Sequence, residues 1–528
     1  MEQAGKHQFT DEERSQVVTD FIEVAMVKGL SMKSSANPAE VAYSHVPISL
    51  FPTPYPVEHY ENAKQLQNPL EEMIGALVRK PDIIHEVLRY FQEQDPFLKR
   101  LVDMSKKYNS PSQKFRQNYH SLILRSDYMI DAPTNSLKLV EYNTIASSLS
   151  SHCQNVKKIQ QLIRQKYGDR LSFNYTETPA YDDLINSENF QHMARVFNRT
   201  CELYLQSTST KTKTTKDLCV LFVIDEGERN ICDQKLIEVE LFERFGICSL
   251  RMTFAQLAER LQRDEETGTL FVDKSEKQQG REVAFVYYRT GYQVEHYKHE
   301  KAWETRELLE CSIALKCPSI DVHLTTFKKF QQAFSDEALL KKVMGQQLER
   351  EAEKIKGLFK GIWTLEYIET DPEVQQVVQK AITNPKGYVI KPQKEGGGNN
   401  FYGFAVKEML EKAHSSPESL ENLKQYLIME RIYPPEIPAH MVREGRLLSS
   451  SATLQEMGIY SSLFINVSEG AIPINEHGIF GCLVRTKTAD SDEGGVVAGF
   501  SVVDQPFLTH EIGPLREGII IKGFVSNF

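Results

Sequence analysis

No Cys-x-x-Cys pair occurs among the eight cysteines, which stand at Cys153, Cys201, Cys219, Cys232, Cys248, Cys311, Cys317 and Cys482. That excludes a disulfide-stapled scaffold and a thioredoxin-type motif, and reads as free thiols in a reducing compartment. The fourteen histidines show no zinc-ligand spacing. No apolar run approaches the roughly 20 residues needed to span a bilayer. The first residues lack the basic-then-apolar pattern of a signal peptide. The expectation is therefore cytoplasmic, or secreted if a leader has been removed. Net positive charge is also missing: 62 basic against 72 acidic residues give a formal charge of -10. Nucleic acid and anionic membranes are thus excluded as default partners. Neither a GxxxxGK[ST] loop nor a dinucleotide fingerprint occurs, and there is no internal repeat. Asn174, Asn198 and Asn466 stand in glycosylation sequons, tripeptides that also arise by chance.

What remains is an ordinary globular balance, 41% hydrophobic and 25% charged over 528 residues. That length suits two or more domains, or one large core with a smaller inserted one. Thr10 and Glu13 form a capping-box pattern, followed by an apolar stripe of Val17, Phe21, Val24 and Ala25. The first 120 or so residues read as mostly helical, with helix starts marked by Asn68-Pro69 and Lys80-Pro81. Residues 207–216 are rich in Ser, Thr and Lys and read as a surface linker. Beyond it, the continuous apolar run Leu218 to Ile224 predicts a strand buried on both faces. A helix with Ile237, Leu241, Phe242 and Phe245 on one face follows, then strands near Cys248–Met252 and Val283–Tyr288. The final two hundred residues hold short apolar runs, Gly387–Ile390, Tyr426–Ile432, Ser462–Val467 and Cys482–Val484, which predict antiparallel strands between helices. The fold class is α/β.

Several constellations bear chemistry. In Val389-Ile390-Lys391-Pro392-Gln393-Lys394-Glu395-Gly396-Gly397-Gly398-Asn399-Asn400 an apolar strand delivers a lysine, then a carboxylate, then three glycines. Glycines let backbone amides surround phosphate oxygens, Lys391 adds a cation, and Glu395 offers oxygen to magnesium. The bland alternative is a Gly/Asn turn between strands. In Leu137 to Thr144 strand alternation puts Glu141 and Asn143 on one face, a partial magnesium shell or two polar residues entering a turn. Arg485 and Lys487 share a strand face in the same way, as carboxylate and phosphate ligands or as a solvated basic face. Glu228 to Gln234 opens a helix after a buried strand, where ligand sites and plain helix caps both occur. Arg289, within Tyr288-Arg289-Thr290-Gly291-Tyr292, ends another strand. Ser151-His152-Cys153 is set aside as a nucleophile, because sequence neighbours seldom form a working nucleophile–base pair.

Together these motifs resemble eukaryotic glutathione synthetase, a member of the ATP-grasp ligases. The resemblance runs from about residue 15 to about residue 507. It is carried by Arg125-Ser126-Asp127-Tyr128-Met129, Glu141-x-Asn143-Thr144-Ile145, Glu228-Arg229-Asn230, Asp233-Gln234, Arg289-x-Gly291-Tyr292, Lys316-Cys317-Pro318, Lys328-Lys329, the Lys391–Asn400 loop and Arg485-Thr486-Lys487. It implies an ATP-grasp fold with an inserted small α/β substrate-binding domain and a helical N-terminal region. The expected units are 1–215, 216–325 for the insert, and 326–528. ATP and Mg2+ are the implied cofactors, a small peptide and an amino acid the partners, and a homodimer the assembly. Glu141, Asn143 and Glu395 match the metal ligands. Around ATP the matches are Glu141, Lys328, Lys391, Glu395, Gly396, Gly397, Gly398, Asn399, Asn400, Tyr402, Met429, Glu430, Arg431, Ile432, Glu456, Lys487 and Glu493. Around the peptide substrates they are Arg125, Ala146, Ser147, Ser148, Leu149, Glu228, Arg229, Asn230, Gln234, Arg289, Thr290, Gly291, Tyr292, Arg485, Val496 and Val497. Arg485, Lys391 and Arg125 are the residues expected to act in catalysis. The implied reaction phosphorylates the cysteinyl carboxylate of γ-glutamylcysteine, after which glycine's amine attacks the acyl phosphate.

The chain departs from the family pattern at the substrate loops. After Ile145 the family usually has serine, alanine or serine, serine, an aromatic and two glycines, where this chain has Ala146-Ser147-Ser148-Leu149-Ser150-Ser151. Phe327 stands where a threonine usually precedes the ATP-facing lysine, and Val497 adds bulk at the glycyl end. The chain also runs past the family's usual end, through Ile519-Ile520-Ile521. Three outcomes are weighed. One is an ordinary glutathione synthetase. Another is a diverged member with low or altered substrate activity, similar to the branch of plant-parasitic nematodes in which such chains can be secreted as effectors. The third is a non-catalytic ligand-binding module, against which the intact Glu141, Asn143, Lys391, Glu395 and Lys487 argue.

Overall fold

Glu13 N donates to Thr10 Oγ1 at 3.2 Å while Thr10 N donates to Glu13 Oε2 at 2.9 Å, so the capping box does start a helix, Asp11–Val27. Its buried stripe is Val17, Val18, Phe21 and Ala25, with Val24 half-buried at the edge. The computed structural model describes residues 10–34, 37, 40–167, 188–208, 213–275, 278, 280–346, 349–393, 399–413, 415–467, 477–492, 494–497 and 499–509. Asn174, Glu395, Gly396, Gly397, Gly398, Glu493 and Ile519 to Ile521 lie outside them. Helices run on from Val57–Gln65 to Pro96–Asn109, with Pro81 and Pro96 at first helical positions, where the missing N–H costs nothing. The helical reading omitted the strands Ser31–Lys33, Tyr43–His45, Ile48–Ser49 and Thr53–Pro56. They are too short for a period-2 signal and are fixed by partners far along the chain, such as Ile48 beside Val503 and Val442.

A seven-stranded sheet forms the floor of the molecule. Its order is Ile437–Arg443, Ile48–Ser49, Val502–Asp504, His477–Thr488, Arg446–Asn466, Tyr119–Asp131, Ser136–Asn143. The 21-residue strand Arg446–Asn466 pairs antiparallel with both long neighbours, setting Glu456 opposite Arg485 and Gly458 opposite Asp127. The short run expected near Ser462 is the apolar end of Arg446–Asn466, and Cys482–Val484 is an apolar stretch in the middle of His477–Thr488. Polar residues that face a cavity, among them Glu456 and Arg485, interrupt the apolar pattern.

A four-stranded antiparallel sheet has the order Ile362–Thr364, Tyr426–Glu430, Tyr388–Pro392, Phe401–Tyr402. A six-stranded sheet spans Cys219–Val223 to Leu315–Cys317, and its four parallel strands include Cys248–Met252 and Arg281–Tyr288. Every residue of Cys219–Val223 is buried, as a continuous apolar run requires of a doubly covered strand. The following helix, Ile231–Phe245, buries Ile237 and Leu241 but leaves Phe242 60% exposed, which corrects the expected face. Five residues on from Ile237 means a rotation of about 140° around the axis, away from the core.

One hydrophobic cluster joins the N-terminal helices (Leu70, Leu98), the six-stranded sheet (Leu221, Val286), the four-stranded sheet (Val389, Met429) and the floor (Met457, Val484). The walls of the site are therefore braced against a shared core. Among the described residues no helix is long and apolar enough to cross a membrane. The sequon Asn198 lies within the helix Asn189–Ser207 and Asn466 is buried at a strand end, neither an exposed loop.

Candidate functional site

Strand alternation aims one face of the floor into a cavity of about 440 Å3. Arg125, Met129, Glu141, Asn143, Glu456, Arg485 and Lys487 enter from the floor, and Val389, Lys391, Tyr402, Met429 and Glu430 from the four-stranded sheet. Arg431, Ile432, Asn400 and Lys328 join on that side. The far end is closed by Ala146, Ser147, Ser148, Leu149, Glu228, Asn230, Arg289 and Tyr292, and the rim by Gly494, Gly495, Val496, Val497 and Phe500.

Cations dominate the field inside. Burial pushes the Glu141 carboxyl up, but Lys328, Lys391, Arg485 and Arg125 overcome it and bring the pKa down to about 2. Lys328 Nζ lies 3.6 Å from Glu141 Oε2. Burial raises the Glu456 carboxyl, opposed mainly by Arg485, which donates to it from the neighbouring strand. Lys487 Nζ donates to the Asp492 carbonyl at 2.6 Å, and Arg431 Nη2 to Asp492 Oδ1 at 2.8 Å. Asn400 Nδ2 donates to Tyr402 Oη at 3.1 Å.

The loop at the far end is clamped by Asp233, Arg289 and Tyr460. Leu149 N and Ser151 N donate to the Asp233 carboxylate at 2.8 and 2.9 Å, and Ser151 Oγ to the Asp233 carbonyl at 2.7 Å. Arg289 Nη1 donates to the Ser147 carbonyl at 3.0 Å, and Tyr460 Oη to the Ser148 carbonyl. Ser150 and Ser151 begin the helix Ser150–Tyr167, so the positions usually glycine carry no left-handed backbone here. That conformation falls on Ala146 (φ 53°) and Leu149 (φ 74°), at a cost of order 1–3 kcal/mol each for a residue with a Cβ. The buried Ser151-His152-Cys153 run is structural, with His152 Nε2 2.9 Å from Asn230 Oδ1.

Some expected residues stand behind the wall. Arg229 Nε donates to the Lys33 carbonyl at 3.1 Å and Nη1 to the Val497 carbonyl at 3.5 Å, tying the rim to the first hairpin. Gln234 is buried and donates to Glu228 Oε2 at 2.7 Å. Thr290 is buried, Gly291 N donates to His296 Nδ1 at 3.2 Å, and Asn399 is not in the wall. Sequence reasoning assigned no role to Asp127 or Asp233, which organise the floor and the far loop. Asp127 carried a signal, since a carboxylate two residues from Arg125 on a strand shares its face. Met129, Val140, Ile145, Leu454, Asp492 and Phe500 also line the cavity unforeseen. Among the described residues no three His, Cys, Asp or Glu side chains cluster as a closed metal site.

The sequence model of the eukaryotic glutathione synthase ATP binding domain matches residues 11–508. The chain belongs to the eukaryotic glutathione synthetase family. It is 32% identical over 480 residues to the chloroplastic glutathione synthetase of Arabidopsis thaliana, covering 90% of this chain and 81% of that one. With the glutathione synthetase of Dictyostelium discoideum it shares 32% identity over 499 residues, 92% of this chain and 97% of the other. Among solved structures, the apoform of a glutathione synthetase like-effector from Globodera pallida superposes with a TM-score of 0.70 at 18% identity, covering 95% of this chain and 98% of that one. That likeness speaks to the fold. The mixed α/β architecture is thus that of a glutathione synthetase, and the family is one of ligases.

Proposed function

We propose that the chain is an ATP-dependent carboxylate–amine ligase of the ATP-grasp type that joins γ-glutamylcysteine to glycine, releasing ADP and phosphate. The observation that carries this reading is the convergence of Arg125, Lys328, Lys391 and Arg485 on a carboxylate held ionised, Glu141, in one cavity that Lys487 also lines. No histidine lines that cavity among the described residues. Phosphoryl transfer to a carboxylate needs positioned cations rather than a general base, because the attacking oxygen is already anionic. The cysteinyl carboxylate oxygen attacks the γ-phosphorus, the bond to ADP breaks, and glycine's nitrogen then displaces phosphate from the acyl carbon with loss of a proton.

The donor set at Glu141 fits magnesium. Asn143 spends its amide nitrogen on Asp127 Oδ2 at 3.0 Å, which leaves its oxygen as the coordinating atom beside the Glu141 carboxylate. One carboxylate plus an amide oxygen suits an ion whose shell is completed by phosphates and water, with Glu395 as a third ligand offered by the sequence. When bound, the ion neutralises charge on the transferring phosphate. Lys391 and Lys487 neutralise phosphate oxygens, Lys328 holds Glu141, and Met429 to Ile432 border the adenine. Arg485, braced by Asp127 and Glu456, meets the reacting carboxylate. Val497 and Phe500 place exposed apolar surface at the rim.

A second reading, a diverged member with altered substrate, is favoured by the left-handed Ala146 and Leu149 and by Val497 in the wall. Purified protein with Mg2+, ATP, γ-glutamylcysteine and glycine separates the two. Equal amounts of ADP and tripeptide are expected. ADP without tripeptide, or neither product despite ATP binding, puts the second reading first.

A further inference from the structure

Asp127 is fully buried in the floor strand Tyr119–Asp131, behind the lining residues Arg125, Asn143 and Arg485 and not itself in the cavity wall. Four donors meet its carboxylate. Arg125 Nε and Nη2 reach Oδ1 and Oδ2, both at 2.8 Å, Arg485 Nη2 reaches Oδ2 at 2.9 Å, and Asn143 Nδ2 reaches Oδ2 at 3.0 Å. The donors come from three strands, with Asn143 paired to Arg125 across one edge. On the central strand, Gly458 stands opposite Asp127, and a Cβ there would lie 2.7 Å from Asp127 Oδ1 and 3.1 Å from Arg125 Cδ. The glycine makes room for this arrangement, since any side chain would displace the carboxylate or the guanidinium.

We infer that Asp127 is a positioning residue that couples the metal end of the site to the substrate end. Resting on the ligase reading for the identity of the ligands, it sets the Asn143 amide with its oxygen toward the magnesium position. With the same oxygen it aims Arg485 at the reacting carboxylate. A neutral amide in its place reverses this. Asp127→Asn offers an N–H where Asn143 and the arginines also present N–H groups, so Asn143 turns and the arginines relax toward Glu456 and Glu141.

The test is calorimetric and uses the full chain. For Asp127→Asn the affinity for ATP without magnesium is expected to match the wild type. The gain in ATP affinity on adding Mg2+ is expected to shrink, and γ-glutamylcysteine binding to weaken, each by roughly the 10–100-fold typical of lost outer-shell partners. Equal weakening of all three, or an unchanged magnesium effect, overturns the assignment and leaves a structural role. Should that variant fail to fold, the double-mutant cycle of Asn143→Ala with Arg485→Met decides instead. Among the described residues these two side chains share Asp127 as their common hydrogen-bond partner, so non-additive effects on γ-glutamylcysteine affinity support the coupling and additive effects overturn it. A wild-type chain that does not bind γ-glutamylcysteine overturns the ligase reading, while the magnesium dependence of ATP affinity still decides the role of Asp127.

Discussion

Glu141 is held ionised although its surroundings are largely closed to water, because Lys328, Lys391, Arg485 and Arg125 outweigh the cost of burial. Its folded pKa lies below the ordinary glutamate value near 4.3. Its contribution to stability is therefore complete above that value and lost as pH falls toward about 2. Replacing it with glutamine keeps the shape and removes the charge. Glu141→Gln is expected to cut magnesium-dependent ATP turnover by at least about a hundredfold, the scale of one charge-stabilising group in a closed site, with a melting temperature within a few degrees of wild type. Turnover that survives, measured as ADP release, would remove Glu141 from the metal site. The identity of such residues was legible because strand alternation is local: Glu141 with Asn143, and Arg485 with Lys487, follow from spacing alone. Asp127 was legible only in part: its spacing from Arg125 is local, but its partners Asn143 and Arg485 lie 16 and 358 positions away.

Elements position these residues with different degrees of local signal. The helix at Asp11–Val27 was legible from its cap, whose two hydrogen bonds span three residues. The 21-residue strand Arg446–Asn466 was legible only at its apolar end, since Gln455 and Glu456 break the pattern where the strand passes the cavity. The turn after Arg281–Tyr288 carries a device of another sort. His296 Nδ1 accepts from Gly291 N and Gln293 N, each at 3.2 Å, and its ring meets Tyr292 edge-on at 4.6 Å. Tyr292 in turn lines the cavity. Burial chiefly lowers the His296 pKa, with Asp225, Glu295 and Glu228 opposing and Lys298 assisting. The folded value lies below the unfolded one, so the stabilisation is present above about pH 6.5 and lost as pH falls through the folded value. Protonation places a hydrogen on Nδ1 and releases both amides. The KM of the peptide substrate is expected to rise several-fold on the acid side in wild type, and His296→Asn, which keeps an acceptor but does not titrate, to flatten that rise. Identical acid-side KM profiles would show the turn to be held by other contacts.

At the scale of the whole molecule, the core that braces the cavity also encloses carboxyl groups whose ionisation burial opposes. Burial raises Glu71 to about 8, against a hydrogen bond from Ser461, and raises Asp321 and Asp504 to about 6 despite their hydroxyl and amide donors. Each folded value lies above the unfolded one near 4, so each contribution to stability is full at low pH and lost as pH rises through the folded value. The two aspartates are half titrated near pH 6 and largely ionised above pH 7, which leaves Glu71 as the carboxyl that contributes most between pH 6.5 and 8. The buried histidines His120, His192 and His440 are lowered to about 3, 4 and 4, so they are neutral in the folded state while their unfolded counterparts still hold protons near pH 6.5, an effect of opposite sign to Glu71 that fades toward pH 8 and is shared by the wild type and a Glu71 variant. Lys316, lowered to about 8 by burial, works in the opposite sense only above it. In that interval each pH unit is expected to cost up to about 1.4 kcal/mol through Glu71 alone. Glu71 sits on the helix Gln67–Val78, away from the cavity wall, so Glu71→Gln should leave ligand affinity unchanged. The difference between its melting temperature and the wild type's should shift steadily in the variant's favour between pH 6.5 and 8. Parallel curves would mean that Glu71 is already ionised in the folded protein and that the helix carries a buried charge the sheet beneath it can tolerate.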